Sequence, residues 1–322
     1  MSETSEPDVP CGLRSLEFNR KLYDVVKFST DIGLFSRTRR AIALDELALD
    51  TGLELRLLEL LLDVLIRSGF MICQDGKSFL NTPMSQAYLD EKSPYYIGDD
   101  ILDGADTYDV LSSFVNEGPP QDRITTDFWT PEFVKTIGSR SLLGPVHVAV
   151  DKVDLAGRRK MLDVGGGHGL YSILFTKKYK GLEAWVLDLP SVVEATRENV
   201  EKTGSGEGVH VIAADFDHFK PDTSYDVVFS SNFAGSPEGL DLLLRRAKDL
   251  LEDGGWLVLR NYASDVRDDA MSSLIALDRY ARRGESGLTT GYIAATMEGN
   301  GFRDVVELYR GDGAVVLKGI KK

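Results

Sequence analysis

Residues 161–169 read Met-Leu-Asp-Val-Gly-Gly-Gly-His-Gly, and this stretch decides the fold. A short apolar strand ends next to an acid, a glycine-rich turn follows at once, and the turn opens a predicted helix over Leu170–Lys178. Because glycine has no Cβ and tolerates positive φ, such a turn lets the main chain come close to a nucleotide-like ligand. The stretch therefore predicts the first strand, turn and helix of an α/β sheet with a ligand-binding edge.

The spacing of the glycines distinguishes between two kinds of ligand. The dinucleotide fingerprint Gly-x-Gly-x-x-Gly would take Gly165 and Gly167 and would need a third glycine where Leu170 stands. The glycines instead follow Asp163 in the form Asp-x-Gly-x-Gly-x-Gly. This form resembles the first motif of class I S-adenosylmethionine-dependent methyltransferases. The resemblance implies a ligand without phosphate, whose amino-acid and ribose parts contact the turn.

The second half of the chain alternates apolar strands with amphipathic helices, which is typical of a parallel sheet covered on both faces. Strands are predicted at Lys160–Val164, Ala184–Leu187, Val209–Ala213, Tyr225–Ser230 and Trp256–Arg260, and helices at Leu240–Leu251, Met271–Arg282 and Thr290–Gly299. A glycine turn near Asp312 predicts a closing hairpin of Arg303–Tyr309 with Ala314–Ile320. The predicted fold class is α/β, with a Rossmann-like sheet that ends in an antiparallel hairpin. This is the class I methyltransferase arrangement, whereas a NAD-binding sheet more often stays parallel throughout.

The first half is helix-rich and predicts a separate, mainly α domain. Helices are predicted at Ala43–Leu49 and Leu53–Arg67, and an Asp75-Gly76 turn between two short apolar runs predicts a hairpin. Helix–turn–helix followed by a hairpin is the winged-helix arrangement, whose second helix can read DNA. Here that helix carries acids beside its arginines and is dense in leucine, which favours packing against another subunit. We therefore predict a dimerisation domain over residues 1–110, a connecting helical region over 111–157 and a ligand-binding domain over 158–322.

Composition and charge exclude several classes of protein. The net charge of -14 and pI near 4.8 argue against a nucleic-acid binder, since the one basic cluster is the short Arg37, Arg39 and Arg40. No apolar run reaches the ~20 residues that cross a bilayer, and the polar first residues are not a signal peptide. Two distant cysteines and four scattered histidines give neither a disulfide framework nor a metal site. We expect a cytoplasmic protein without metal, membrane or nucleic-acid partners.

Three acids lie at the predicted carboxyl ends of strands, where ligands of open α/β sheets bind. Asp163 is expected to orient the turn or the ligand's ammonium group. Asp188 is expected to accept hydrogen bonds from both ribose hydroxyls, and the alternative is an N-cap for a helix that starts at Ser191. Asp215 is expected to accept from an adenine amino group, and Phe216 to stack on the ring. The alternative is a solvated acid beside a core phenylalanine.

Four segments resemble the small-molecule O-methyltransferase family of plant phenolic and bacterial polyketide enzymes. They are Asp163–Gly169, Val186–Val193 with its Asp-Leu-Pro, Ala214–Phe216 and Asp253–Trp256. The resemblance covers about residues 15–320 and implies S-adenosylmethionine as cofactor, a small-molecule substrate and a homodimer formed through the N-terminal domain. The cofactor contacts assigned to this chain are Asp163, Gly165, Gly167, Asp188, Leu189, Asp215, Phe216 and Asn232.

The chain departs from this family where the catalytic base stands. The family's base is a histidine after the fourth strand, and alignment on the Pro237-Glu238 pair puts Ala234 there. Tyr292 stands where the family usually has an acid. Methylation of a phenol, with a pKa near ~10, would lack the roughly 10²–10⁴-fold contribution of a positioned base. We predict methyl transfer to a small molecule, with carbon or nitrogen acceptors as alternatives to oxygen.

Three explanations of the missing histidine stay open. The acceptor is acidic or carbanion-like and needs little base, or another side chain is the base, for which the candidates are Tyr262, His147 and Asp278. Alternatively, the chain binds S-adenosylmethionine without methylating and is a regulator or a pseudoenzyme. An NAD(P)-dependent oxidoreductase is a further rival, against which Leu170 speaks.

The resemblance also implies a substrate pocket between the two domains, lined by helices of both. The expected lining residues are aromatic or apolar, namely Tyr108, Phe128, Trp129, Phe133, Met271, Leu274 and Ile275. Trp129 and Phe133 are preferred among them, because the connecting region must cross the mouth of the cofactor cleft.

Overall fold

The structure is a computed structural model that describes residues 11–103, 107–118, 129–284 and 287–322. The chain divides into two compact units, Met1–Gly104 and Ala105–Lys322. Among the expected lining residues, Phe128 lies outside the described residues. A search of the described helices finds none that is long and apolar enough to span a bilayer.

The first unit consists of helices around a small antiparallel sheet. Its elements are α1 (Cys11–Asp31), α2 (Leu34–Arg37), β1 (Ile42–Ala43), α3 (Leu44–Thr51), α4 (Leu55–Arg67), β2 (Met71–Gln74), β3 (Ser78–Asn81), α5 (Pro83–Tyr88) and α6 (Gly98–Asp103). The strands pair in the order β1-β3-β2. The predicted helix pair and hairpin are confirmed. Helix α4 begins two residues later than predicted because the Glu54 carboxylate caps it, accepting from the N–H groups of Arg56 and Leu57 at 2.9 Å each.

The second unit opens with three helices and continues with alternating strands and helices. The opening helices are α7 (Thr107–Glu117), α8 (Pro131–Leu142) and α9 (Pro145–Lys152). The alternating elements are β4 (Lys160–Val164), α10 (Leu170–Lys178), β5 (Glu183–Asp188), α11 (Val193–Thr203), β6 (Val209–Ala213), β7 (Tyr225–Ser231), α12 (Pro237–Leu250), β8 (Leu251–Tyr262), α13 (Ala270–Arg283), α14 (Thr290–Gly299), β9 (Phe302–Gly311) and β10 (Ala314–Lys321).

The main sheet of this unit has seven strands in the order β6-β5-β4-β7-β8-β10-β9. Strands β4 to β8 pair in parallel, and β10 runs antiparallel to both β8 and β9. The chain steps outward from β4 through β5 to β6 and then returns to β7 on the other side of β4. Ligands of open α/β sheets bind at the carboxyl ends of the strands beside such a reversal. The predicted fold class, with its antiparallel closing hairpin, is confirmed.

The strands beside the reversal are buried on both faces. Met161, Leu162 and Val164 of β4 and Val227–Phe229 of β7 are almost completely inaccessible to solvent. Near-continuous apolar runs of this kind are typical of parallel strands with helices on both sides, and each such side chain contributes roughly 1.5–3 kcal/mol. The residues at the carboxyl ends of β4 and β7 are therefore held on a rigid base.

Candidate active site

The glycine-rich turn leaves the end of β4 through backbone that glycine adopts most readily. Gly165, Gly167 and Gly169 have φ values of +65°, +51° and +70°, in the left-handed region that a Cβ disfavours. The N–H of Gly165 donates to the carbonyl of Leu187 in β5 at 2.9 Å, and that of Gly169 donates to the carbonyl of Gly166 at 2.8 Å. These bonds close the turn just before α10 begins.

The glycines of the turn differ in what surrounds them. A Cβ on Gly166 would lie 2.7 Å from Val186, and a Cβ on Gly169 would lie 2.7 Å from Thr196. A Cβ on Gly167 would meet nothing closer than 3.8 Å. Gly167 is therefore the position at which a ligand can approach the main chain of the turn.

Asp188, the last residue of β5, binds the turn through its carboxylate. Its Oδ2 accepts from the N–H of Gly167 at 2.8 Å, and its Oδ1 accepts from the N–H of Leu189 at 2.7 Å. Burial raises the pKa of Asp188, and these two backbone donors oppose the rise. The N-cap alternative is wrong, because α11 begins at Val193 and has no side-chain cap. Each carboxylate oxygen keeps a lone pair for a further donor.

Asp163 lies beneath the turn and is inaccessible to solvent. Its Oδ2 accepts from the hydroxyl of Ser172 in α10 at 2.8 Å. Its Oδ1 is buried and has no hydrogen-bond partner in the part of the chain that the structure describes. Burial raises the pKa of Asp163 to about 7, helped by the nearby Asp188 and opposed by Ser172. The residue ties β4 to α10 and keeps one oxygen unsatisfied.

Helix α8 covers the turn from the connecting region. Val134 is the nearest neighbour of the Gly167 position, and Gly138 packs against His168. The N–H of Leu170 donates to His168 Nδ1 at 3.1 Å, so Nε2 carries the proton and donates to Ser141 of α8 at 3.1 Å. Burial lowers the pKa of His168 to about 4, and the neutral ring is thus a structural link between helix and turn.

Two residues of α11 also support the turn, and sequence reasoning missed them. The hydroxyl of Thr196 donates to the carbonyl of Gly167, and the amide of Asn199 donates to the carbonyl of His168 at 2.9 Å. Thr196 and Asn199 are three residues apart and therefore share one face of the helix. Polar residues on a surface helix carry no signal that would have distinguished this pair.

Strands β7 and β8 end beside the turn. Asn232 has a φ of +57°, and its side-chain oxygen accepts from the N–H of Tyr262 at 3.0 Å. Ala234 is 4% exposed and packs in the apolar core among Leu240 and Leu243. We refer to Asp163, Gly165–Gly169 and Asp188 as the glycine edge. The β7–β8 edge comprises Asn232, Ala234, Arg260 and Tyr262.

Comparison with known proteins identifies the family. A family model described as a methyltransferase domain matches residues 139–307, more than half of the chain. The chain belongs to this family. The matched residues include both edges and all strands of the sheet from β4 to β8, so the family match and the geometry concern the same part of the molecule.

Individual relatives are distant but carry consistent names. The L-tyrosine C(3)-methyltransferase of Streptomyces lavendulae is 30% identical over 139 residues, which are 42% of this chain and 38% of that protein. The bacteriochlorophyllide d C-20 methyltransferase of Chlorobaculum tepidum is 23% identical over 264 residues, 76% of this chain and 75% of its own. The crystal structure of human N-acetylserotonin methyltransferase has a TM-score of 0.71 at 18% identity and covers 100% of this chain and 99% of its own, which shows a shared fold.

The chain is an S-adenosylmethionine-dependent methyltransferase, and its glycine edge fits that cofactor. The open side of Gly167 leaves room for a ligand against the main chain. The Asp188 carboxylate has acceptor capacity for the ribose hydroxyls. The unsatisfied Asp163 Oδ1 suits an ammonium group, which a carboxylate binds through charge-assisted hydrogen bonds.

The two residues predicted to contact the adenine, Asp215 and Phe216, differ from each other in exposure. Asp215 is exposed, and its carboxylate accepts from the N–H of Asp217 at 3.0 Å and lies 3.3 Å from His218. Phe216 is buried in the core, with its ring edge-to-face against Phe233 at 5.4 Å. This arrangement is the solvated acid beside a core phenylalanine. Adenine contacts by either residue, and a cofactor contact by Asn232, stay predictions.

The candidate bases lie in three separate elements. Tyr262 is half-buried at the end of β8, with the guanidinium of Arg279 3.9 Å from its ring centroid. Asp278 in α13 accepts from Arg282 at 2.8 and 2.9 Å, so its carboxylate is already paired. His147 is exposed on α9. Lys178, at the end of α10 that is farthest from the turn, donates to the carbonyl of Val150 in α9. Tyr262 alone among the three belongs to the β7–β8 edge.

The expected lining residues also separate into groups. Trp129 packs with Leu189 against an apolar cluster that includes Val134, and its ring lies edge-on to Phe133 at 5.7 Å. Trp129 and the residue that follows Asp188 therefore pack against one apolar cluster. Tyr108 on α7 and Met271 and Leu274 on α13 are exposed, whereas Ile275 packs against Gly313 in the β9–β10 turn. Substrate contacts by these residues stay predictions.

Proposed function

We propose that this methyltransferase transfers the methyl group to a carbon or nitrogen atom of a small molecule, without a histidine base. The observation that carries the proposal is the burial of Ala234 in the apolar core. The position aligned with the family's base thus has no imidazole, and its small side chain packs among core leucines. The names of two relatives, a tyrosine C(3)- and a bacteriochlorophyllide C-20 methyltransferase, support acceptors other than oxygen.

The chemistry of methyl transfer explains why a base can be absent. Bound S-adenosylmethionine supplies an electrophilic methyl group and its leaving group, and the protein supplies orientation. A neutral hydroxyl acceptor needs a base that takes its proton as it attacks. An electron-rich carbon or a neutral amine attacks with its own electron pair as the methyl–sulfur bond breaks, and its proton is released to water after the transfer. Such an acceptor therefore fits a site without the family's histidine.

The glycine edge has the task of fixing the cofactor. We assign the ribose hydroxyls to Asp188, the amino-acid ammonium group to Asp163, and main-chain approach to Gly167. All three are held by hydrogen bonds or by buried strands, so the cofactor meets a preformed site rather than a mobile one. Trp129 and Phe133 are assigned to the acceptor because Trp129 packs against the same apolar cluster as Leu189, the residue that follows Asp188.

The test is a search for labelled products. The protein is incubated with methyl-deuterated S-adenosylmethionine and a small-molecule extract of the source cell, and products are sought by mass spectrometry. We expect a labelled product that is missing with Asp188→Ala, and fragmentation that locates the label on carbon or nitrogen. A product labelled on oxygen would overturn the acceptor assignment. No label despite cofactor binding would favour the regulator or pseudoenzyme.

We also propose that the first unit is a winged-helix dimerisation domain of a cytoplasmic protein. Helix α4 exposes Leu57 and Leu60 to about half of their surface. Its arginines are neutralised by Arg56–Glu59 and Arg67–Asp63 ion pairs of 2.9 Å each, which leaves little positive charge for DNA. An exposed apolar face supports contact with a second copy, and the distant cysteines of the sequence support a reducing compartment.

Analytical ultracentrifugation tests the proposed dimer by measuring the oligomeric state. A Leu57→Glu, Leu60→Glu double variant is expected to sediment as a monomer while the wild type sediments as a dimer. Val306→Glu changes an apolar residue of β9 in the other unit that is 42% exposed, and it serves as the control. A wild type that is monomeric at micromolar concentration would contradict the proposal.

A further inference from the structure

We propose that Arg260 binds a carboxylate of the acceptor molecule, and this inference rests on the proposed function because it names the class of acceptor. Arg260 lies two residues before the end of β8, and it is 4% exposed. It belongs to the β7–β8 edge, to which no residue of the cofactor site is assigned except Asn232. The inference therefore concerns the other reactant.

The burial of Arg260 without a carboxylate partner is the central observation. Arginine is almost never fully buried unless it is paired. Among residues 11–103, 107–118, 129–284 and 287–322, no carboxylate lies within ion-pair distance of its guanidinium and no side-chain hydrogen bond from it is formed. By contrast, the more exposed Arg39 donates to both oxygens of Asp90 at 2.5 and 2.6 Å.

The contacts that Arg260 does make are aromatic. Its guanidinium lies 5.2 Å from the ring centroid of Tyr262, a cation–π contact that leaves the five N–H donors unused. Burial raises the pKa of Tyr171, and the positive charge of Arg260 opposes that rise. Burial likewise raises the pKa of Tyr309, and the positive charge of Arg260 again opposes the rise. The guanidinium therefore lies near the ring of Tyr262, and its charge also acts on Tyr171 and Tyr309.

Two acids, Asp269 and Asp312, act on Tyr309, and both are already engaged. Asp269 accepts from the N–H of Ser272 at 2.7 Å. Asp312, in the β9–β10 turn, accepts from the hydroxyl of Tyr309 at 3.1 Å. A second guanidinium, that of Arg279 in α13, lies on the Tyr262 ring at 3.9 Å. Two positive groups on one ring make the region attractive to an anion rather than to a cation.

The position of Arg260 connects it to the methyl-transfer edge. Arg260 is the register partner of Ser231 in β7, and the Ser231 hydroxyl donates to Tyr171 at 3.1 Å. The neighbouring Ser230 hydroxyl donates to the carbonyl of Val164, the residue before the glycine turn, at 2.9 Å. A carboxylate on Arg260 would thus be separated from β4, the strand that begins the glycine edge, by the single strand β7.

The physical reason for the preference is the planar geometry of guanidinium. Arginine offers parallel N–H groups that match the two oxygens of a carboxylate. A buried charge without a partner is unfavourable for the free protein, so a bound carboxylate relieves a cost that a neutral ligand cannot relieve. An acceptor with a carboxylate is therefore selected over its neutral amide by roughly 10- to 100-fold.

The test compares benzoate with benzamide, two probes of the same shape that differ in charge. Both are titrated by calorimetry into the full-length protein saturated with S-adenosylhomocysteine. The wild type is expected to bind benzoate at least about tenfold more tightly than benzamide. Arg260→Met is expected to lose this preference, and Arg260→Lys to keep part of it. Arg310→Met removes an arginine that is paired with Glu307 and serves as the matched control.

Thermal unfolding without ligand separates binding from a purely structural role. Removing an unpaired buried charge is expected to raise the Tm of Arg260→Met, whereas Arg310→Met, which breaks an ion pair, is expected to lower or keep it. Equal wild-type affinity for benzoate and benzamide would overturn the inference, as would an unchanged preference in Arg260→Met. Failure of the wild type to bind S-adenosylhomocysteine would instead count against the proposed function. If Arg260→Met does not fold, Arg260→Lys and the wild-type comparison decide.

Discussion

The glycine edge and the β7–β8 edge adjoin each other at the strand reversal and are built in opposite ways. In the glycine edge, main-chain N–H groups of Gly167 and Leu189 bind an acid, and the unsatisfied buried group is the oxygen of Asp163. In the β7–β8 edge the unpaired buried group is the cation of Arg260. Under the proposed assignments, the two edges bind groups of opposite charge, an ammonium group at the glycine edge and an anion at the β7–β8 edge.

The two edges also differ in how they relate to the family. The glycine edge has the turn, the acid at the end of β5 and the supporting helix that a methyltransferase cofactor needs. The β7–β8 edge has Ala234 in the core and Arg260 at the strand end. A fold can therefore keep its cofactor half while the half that receives the acceptor changes its chemistry. The variants described below test this contrast, in order of decreasing expected effect.

The largest expected effect concerns the buried acid of the glycine edge. Asp163 has a folded-state pKa of about 7 against an ordinary value of 3.8, so its protonated form stabilises the fold fully below about pH 4, and this stabilisation is lost as the pH rises to about 7. At ~1.4 kcal/mol per unit of difference, the stability of Asp163→Asn relative to wild type should increase by about 3 kcal/mol between pH 4 and pH 7.

Urea unfolding of wild type and Asp163→Asn between pH 4 and pH 7 measures this difference in the free energy of unfolding. The opposing titration of His168, whose pKa is lowered to about 4, is present in both proteins and cancels in the difference. Parallel stability curves for wild type and Asp163→Asn would show that the carboxyl titrates alike in the folded and unfolded states. Its unsatisfied oxygen would then carry no cost of burial, and the contrast between the two edges would fail on the acidic side.

Cofactor affinity should depend strongly on Asp188. Asp188→Asn replaces one acceptor oxygen by an amino group that faces a backbone N–H, and it removes the charge that strengthens bonds to the ribose hydroxyls. At ~1.5–3 kcal/mol for each charged hydrogen bond, the affinity for S-adenosylhomocysteine is expected to fall roughly 100-fold or more. Calorimetry measures it, with Asp217→Asn, an exposed acid outside both edges, as the control.

A histidine restored in the β7–β8 edge should not restore a base. Because Ala234 lies in the core, Ala234→His places a larger, polar ring among leucines and is expected to destabilise the fold by about 2 kcal/mol. Methylation of a phenol panel is expected not to increase. Denaturation and product analysis check both statements, and a gain of phenol methylation would show that position 234 reaches the acceptor.

The smallest expected effect separates two adjacent glycines. Gly167→Ala is expected to destabilise the fold by about 1 kcal/mol because of its positive φ, and to weaken S-adenosylhomocysteine roughly tenfold because its Cβ enters the open side. Gly166→Ala, whose Cβ would press on Val186, should lose more stability and, where folded, less affinity. Reversed behaviour of the two variants in thermal unfolding and calorimetry would contradict the assigned approach of the ligand.

The sequence predicted the sheet accurately because glycines and apolar runs mark its boundaries locally. Lys160–Val164, Val209–Ala213 and Leu170–Lys178 were predicted to the residue. Strand β8 extends beyond Trp256–Arg260 because β10 pairs with it as far as Tyr262, and such pairing partners are remote in sequence. Termini set by tertiary contacts are therefore the least accessible to local reasoning.

Site residues were predictable where a backbone conformation determines them, and were not predictable where their role depends on packing. The positions of Gly165, Gly167 and Asp188 follow from a motif with a conformational cause. Sequence reasoning missed Arg260, which reads as an ordinary polar residue at the end of a strand. Its significance depends on burial and on the absence of a nearby carboxylate, and both are properties of residues far apart in the chain.

The most direct test of this account titrates two ligands into two variants. S-adenosylhomocysteine and benzoate are each measured by calorimetry on Asp188→Asn and Arg260→Met. If the two edges bind separate reactants, Asp188→Asn loses S-adenosylhomocysteine and Arg260→Met keeps it within about twofold while losing benzoate. If both variants lose both ligands in parallel, or if neither loses either, the division of the site into two oppositely charged halves is wrong.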